Sequence, residues 1–226
     1  MNYLEHVGKY CMMLGQVFKT PQRSRVFRDA LFKDIEELGH KSLGIIMFIS
    51  FFIGGVIALQ TALNLEDPLI PDTLIGFAAK RSIILEFAPT FCSIILAGKV
   101  GSYITSSIGT MRVTEQIDAL EVMGVNSIGY LIGPKILGSL FIFPIVITYS
   151  MFFGFMGGGL VCYFTEIIPV NQYILGIRSF SEDNFTFIRY ALTKTVVFAF
   201  LITSISSYFG YYLKGGSLAV GKASTN

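Results

Sequence analysis

Four apolar runs, separated by polar stretches, divide this 226-residue chain. A run of about 20 apolar residues is long enough to cross roughly 30 Å of hydrocarbon as a helix. The runs cover about Ser42 to Leu63, Ser82 to Met111, Ile136 to Phe164 and Tyr190 to Leu213, so four transmembrane helices are predicted. Pro144 falls inside the third run; it lacks the amide hydrogen its helix needs, which predicts a kink or a joint there. Gly154, Gly157, Gly158 and Gly159 in the same run would let another helix approach closely, and a packing face is favoured over a substrate passage.

Ahead of the first run the pattern changes. Tyr3, Leu4, Val7, Cys11, Leu14 and Phe18 recur every three or four residues, as in an amphipathic helix, and Pro21 ends it. Phe27, Ala30, Leu31, Ile35 and Leu38 continue the pattern in a second, more basic helix. Such an arm lies either in the inner headgroup layer, its cations near anionic lipid, or against the bundle's own cytoplasmic side; the pattern leaves both open. Because Glu5, His6, Lys9 and Gln16 interrupt the first apolar stretch, no cleavable signal peptide is expected and insertion rests on the internal spans.

Charge orients the spans. Lys9, Lys19, Arg23, Arg25, Arg28, Lys33 and Lys41 all precede the first, which places the N-terminus in the cytoplasm. Loop 65–81, with Glu66, Asp67, Pro68, Pro71 and Asp72, and loop 165–189, with Glu166, Pro169, Glu182 and Asp183, then face outward, while Lys214 and Lys222 return inside. Between the second and third runs lies TMRVTEQIDALEVMGVNSIGYLIGP, Thr110 to Pro134, whose Arg112, Glu115, Asp118 and Glu121 would each cost several kcal/mol in hydrocarbon. It reads as a short cytoplasmic helix in water or against another protein, the form of a transmission element.

Composition agrees with the class. The chain is 53% hydrophobic and 14% charged, against about 25% charged for a soluble globule, and its mean hydropathy is +0.64. The fold class is therefore an all-α integral membrane protein. Its net charge of +2 says little about partners, and nothing points to nucleic acid. Cys11, Cys92 and Cys162 have neither metal-site nor disulfide spacing and read as packing residues. GSLAVGK, Gly216 to Lys222, nearly spells a phosphate-binding loop, but Ala223 stands where that loop needs Ser or Thr, and a membrane helix precedes it instead of a strand. The two histidines, His6 and His40, belong to no metal-binding or nucleophile motif, so bond-breaking catalysis is not expected.

What remains is polarity inside the spans. Glu86, in IILEFAP, and Lys194, in ALTKTVV, lie near the same outer depth of spans two and four. Isolated ions there are expensive, so each should face the bundle interior, a cavity or an opposite charge. If they meet, they mark a polar patch suited to an amphiphile with a charged headgroup; a buried pair fixing helix register, or snorkelling outward, is the structural alternative. Lys99, in AGKVGS, lies nearer the cytoplasmic half and either pairs with a neighbour or snorkels inward.

FAPTFCSIILAGKVGSYITSSIGTMRVTEQIDALEVMGVNSIGYLIGPKIL resembles the signature region of MlaE-type permeases, ABC transporter subunits that move phospholipids or related lipids between the membranes of diderm bacteria and underlie outer-membrane lipid asymmetry. The likeness runs from about Gly44 to Thr225 and includes FFIGGVIALQ and KTVVFAFLITSISSYFGYYLKGGSLAVGKAST. Plastid lipid importers share the pattern, but an amphipathic arm without a transit-like extension favours a bacterial chain. The domains are then an amphipathic interfacial arm at 1–41, read from its pattern, and, as the resemblance implies, a permease transmembrane domain at 42–226 with a coupling helix at about 113–124. Glu115, Asp118, Glu121 and Gly124 of that helix would sit in a groove of a separate cytoplasmic ATPase. Glu86 and Lys194 would line a lipid pocket at a homodimer interface. The implied assembly is a homodimer in the inner membrane, two ATPase subunits carrying the ATP and magnesium, and an outer-facing MCE-domain ring, with no cofactor on this chain. Ser107 stands where the family usually has Glu, and the family's further span after the KGGSLAVGKAST segment is not part of the sequence ending at Asn226. An ion-coupled secondary carrier using Glu86 is the alternative from another class, although the inverted repeats expected of one are not seen. A non-transporting membrane scaffold is the third.

Overall fold

The computed structural model describes residues 3–19, 24–65, 70–179 and 184–225. Pro21, Arg23, Glu66, Asp67, Pro68, Glu182 and Asp183 lie outside them, as do the side chains of Tyr3, Phe18, Lys19 and Arg25. Among the described residues the protein is helical and has no strand. Four helices are long and apolar enough to cross a membrane: Phe27–Asn64, Thr73–Val113, Ser127–Thr165 and Phe185–Tyr211. All four predicted spans are present, each in a helix longer than its apolar core.

The elements in order are α1 (Tyr3–Lys19), α2 (Ser24–Ile35), a π-helical stretch Glu36–His40, α3 (Lys41–Asn64), α4 (Thr73–Ser82), a π-helical stretch Ile83–Phe91, α5 (Cys92–Leu96), a π-helical stretch Ala97–Gly101, α6 (Ser102–Val113), α7 (Gln116–Val122), α8 (Ser127–Thr165), α9 (Val170–Arg178), α10 (Asn184–Tyr211) and α11 (Ser217–Thr225). The second helix of the arm thus runs through a π turn directly into span one. Pro144 does not divide the third span, for α8 is helical across it. The stretches read as outward loops hold three helical pieces, all but the last residue of α4, all of α9 and the start of α10.

The chain forms two compact units. One comprises Ser42–Ile95 and Phe143–Val197, and glycines set its packing. A Cβ on Gly54 would lie 1.9 Å from the Gly154 carbonyl oxygen, and one on Gly157 would lie 1.9 Å from that of Phe51. Helices α3 and α8 therefore touch backbone to backbone, so these glycines form the expected packing face. Gly76 and Gly176 do the same for α4 and α9: a Cβ on Gly176 would lie 2.2 Å from the Thr73 carbonyl oxygen. Ile57, Ile75, Ala79, Ile83, Ile168 and Tyr173 close the core around them. Ser50, Cys92 and Ser150 join α3, α5 and α8 through a buried polar triangle with a Ser50–Ser150 separation of 2.8 Å.

The other unit comprises Met1–Lys41, Leu96–Ile142 and Phe198–Asn226. Here α1 packs against the end of α10. His6 Nδ1 meets the Tyr208 hydroxyl at 2.8 Å, Tyr10 meets Ser204 at 2.7 Å, and Met13 is fully buried. The opposite side of α1 leaves Leu4, Val7 and Met12 exposed, so one helix both packs on its own chain and keeps an apolar face outward. Asp34 of α2 accepts a 2.8 Å hydrogen bond from Lys135 of α8, and both are buried. Thr203 donates to Ser139 across α10 and α8 at 2.7 Å. The near-match to a phosphate-binding loop is no loop: all of it but Gly216 lies in α11, which packs along α6 with Val220 beside Gly109.

Candidate functional site

Glu86 and Lys194 meet. Lys194 Nζ lies 2.9 Å from Glu86 Oε2, joining span two to span four within one unit. The local backbone explains the geometry. Pro89 lies in the π-helical stretch with Glu86 and has no amide hydrogen for the Leu85 carbonyl, its partner in an α register. Lys194 supplies a donor to that same carbonyl at 3.2 Å. Its ammonium also stands 5.8 Å from the centre of the Tyr190 ring, an attractive placement for a cation. Lys194 is thus fixed by three groups and its side chain is 20% exposed, whereas that of Glu86 is 63% exposed. A carboxylate left open on a membrane-spanning helix cannot rest against acyl chains at low cost. Further along the same stretch Phe87 and Phe91 stack with centroids 5.1 Å apart, with Phe87 packed against the core of the unit. Span four, which carries Lys194, is also the barest, with 17% of its apolar window buried against 39–44% in the others.

Lys99 donates to the Lys41 carbonyl, so it pairs with a neighbour and does not join Glu86. Ser107 lines a polar recess with Ser102, Thr110 and Gln116. A separate cavity of about 700 Å³ opens in the α1-containing unit, with Phe209, Lys214 and Lys222 in its wall and neither member of the Glu86 pair.

The charged segment Thr110 to Pro134 holds the seven-residue helix α7. Glu115 takes a left-handed conformation at φ 59 and separates α7 from α6. Gly124, at φ 74, ends α7: its amide bonds the Glu121 carbonyl, and the Val125 amide reaches back to Leu120 at 3.0 Å. These paired bonds are the glycine-terminated helix stop that only a residue tolerant of positive φ makes cheaply. Arg112 holds Asp118 at 2.7 Å. One oxygen of Glu121 accepts hydrogen bonds from Ser127 at 2.9 Å and from Tyr211 at 2.8 Å. Two of the three carboxylates singled out in the sequence are therefore engaged within the chain. The tip presents Val122, 89% exposed, and Met123.

A profile of the family described as Permease MlaE matches residues 31–226. The chain belongs to the MlaE permease family. A probable ABC transporter permease of Rickettsia bellii is 30% identical over 222 residues, covering 98% of this chain and 85% of the relative. The intermembrane phospholipid transport system permease protein MlaE of Haemophilus influenzae is 28% identical over 95% of this chain and 81% of its own length. The chloroplastic protein TRIGALACTOSYLDIACYLGLYCEROL 1 of Arabidopsis thaliana is 28% identical, with 95% of this chain matching 61% of it. This MlaE-family chain is thus an ABC transporter permease with multiple membrane-spanning helices. Sequence reasoning found Glu86 and Lys194 because a charge in an apolar run stands out. It missed Asp34, Lys135, Ser127 and Tyr211, since a charge at a span's end, or a hydroxyl anywhere, looks ordinary until its partner is known.

Proposed function

We propose that the chain is the non-catalytic permease subunit of a transporter that moves phospholipids or related lipids between the inner and outer membranes of a bacterium, driven by a separate cytoplasmic ATPase. The half-open Glu86–Lys194 pair on two membrane-spanning helices carries the reading. It offers a fixed cation and an accessible anion on spans whose outer faces are apolar, the features a lipid with a charged headgroup and an acyl tail would engage. A second copy facing the bare span four would cover the pair and enclose it, which supports a homodimer with the lipid pocket between copies. The N-terminus is cytoplasmic by the charge argument, which puts α7 on the side where an ATPase binds. There Glu115, Asp118, Glu121 and Gly124 belong to the coupling helix, with nucleotide-driven closure of the ATPase displacing α7. ATP and magnesium belong to that partner, and an MCE-domain protein completes the path outside.

The test is to purify the tagged chain from its native membranes in mild detergent, identify its companions by mass spectrometry, and measure transfer of labelled phospholipid by the reconstituted complex. Recovery of an ATPase and an MCE-domain protein, with transfer lost in Glu86→Ala and Lys194→Ala while the companions remain, is the expected result. A chain recovered alone, or transfer indifferent to both substitutions, would overturn the reading.

A further inference from the structure

Helix α7 has seven residues, too few to hold a helix alone in water. It can pass on force only through what ties it to the rest of the chain. Besides the backbone turns and the fully buried side chain of Ile117, three ties are visible among the described residues. Gly124 caps its end, Arg112–Asp118 joins its first turn to α6, and Glu121 joins its last turn to the first residue of α8, Ser127, and the last residue of α10, Tyr211. They are not equal. Side chains of the Arg112–Asp118 pair are 37% and 52% exposed, so water screens it and its contribution is small. Ser127 and Tyr211 are 3% and 7% exposed, and both donate to one charged oxygen, which makes these the stronger, charge-assisted kind of bond. The two hydroxyls also lie 2.8 Å from each other. With both protons given to Glu121, the three oxygens form a closed triangle that fixes the distance between α7, α8 and α10.

We propose that Glu121 is a positioning residue, an internal strut that carries displacement of α7 into the ends of α8 and α10, and that it is not a contact for the ATPase. This rests on the reading of α7 as the coupling helix. Glu121 is an exposed residue, but its Oε1 is held by its own chain, while Val122 and Met123 stand open at the tip of α7.

The experiment uses the purified complex in phospholipid vesicles and reads three quantities: ATPase recovered with the permease, ATP hydrolysed, and labelled lipid transferred per ATP. Tyr211→Phe and Ser127→Ala each remove one donor and should leave ATPase recovery as in the wild type. Lipid transferred per ATP should fall at least about tenfold, the factor expected when a hydrogen bond to a charged group is lost. Glu121→Ala should do the same, and Glu121→Ala with Tyr211→Phe should be no worse than the worse single variant, as for members of one linkage. Glu121→Gln, which keeps an acceptor oxygen, should recover part of the loss. A purely stabilising role would lower recovery and melting temperature without changing lipid per ATP in the complex that survives. Loss of ATPase recovery in Glu121→Ala, with Tyr211→Phe and Ser127→Ala normal, would place Glu121 against the partner and overturn the strut while leaving α7 as the coupling helix. Unchanged lipid per ATP in both hydroxyl variants would overturn it too. If Met123→Asp leaves ATPase recovery intact, or no ATPase is recovered with the wild type, the coupling reading itself fails and the strut with it.

Discussion

The two lysine–carboxylate pairs Lys135–Asp34 and Lys194–Glu86 have nearly the same length, 2.8 and 2.9 Å, and opposite surroundings. Substituting each lysine by methionine separates a structural pair from a ligand-facing one. At 2.8 Å and an effective dielectric constant of about 20, the buried attraction is roughly 6 kcal/mol before desolvation is charged against it. Side chains of that pair are 10% and 12% exposed, so Lys135→Met strands a buried carboxylate and should cost about 3–5 kcal/mol. For a domain of this size that lowers the melting temperature by on the order of 10 °C. Lys194→Met leaves Glu86 open to solvent or ligand, where an ion pair contributes about 1 kcal/mol or less. The Leu85 carbonyl loses a donor as well, at a further cost of about 1 kcal/mol, so the melting temperature should fall by only a few degrees. Thermal unfolding of the two variants in the same detergent, followed by loss of the monodisperse peak on size exclusion, gives both numbers side by side. Asp34→Leu combined with Lys135→Met should regain much of the lost stability, because no unpaired charge is then buried. Equal losses at Lys135 and Lys194 would refute the reasoning, since Glu86–Lys194 would then be a register lock and not an open site.

The packing makes two sharper claims. The Tyr173 hydroxyl is buried without a hydrogen-bond partner among the described residues, and its oxygen stands where a Cβ on Gly158 would fall; Tyr173→Phe should therefore be neutral or stabilising by up to about 1 kcal/mol in the same thermal assay. Gly157→Ala places a methyl 1.9 Å from the Phe51 carbonyl oxygen, so α3 and α8 must part and stability should fall by about 1–3 kcal/mol or more.

The spans were legible because hydrocarbon demands long apolar runs, and Glu86 and Lys194 were legible because charge is conspicuous inside them. The match in depth of those two residues, 108 positions apart, followed from counting along two helices from the same side. Asp34 and Lys135 defeated the same counting. Asp34 lies in the charged arm and Lys135 just before an apolar run, where charge is ordinary, and only the packing of α2 on α8 buries them. The α4–α9 contact was hidden because its signal is two glycines on segments with loop-like composition, and a glycine does not announce whether it marks a turn or a close approach. The π turns were hidden for another reason: they shift hydrogen bonds by one residue and leave the apolar pattern nearly untouched. Glu121 read as a contact for a partner because it belongs to a charge-bearing segment between two apolar runs, while the hydroxyls that hold it come from Ser127 and from Tyr211, 90 positions away.

The π turns at Glu36–His40 and Ala97–Gly101 each accommodate one residue more than an α-helix would over the same rise. Deleting a single residue inside either turn would let the backbone close into a regular α-helix while the side chains before and after keep their faces. Elsewhere in a span the same deletion would swing everything downstream by about 100°, since an α-helix has 3.6 residues per turn. These short stretches are therefore where the length of the chain can drift among relatives without moving Glu86, Lys194 or the glycine contacts out of place.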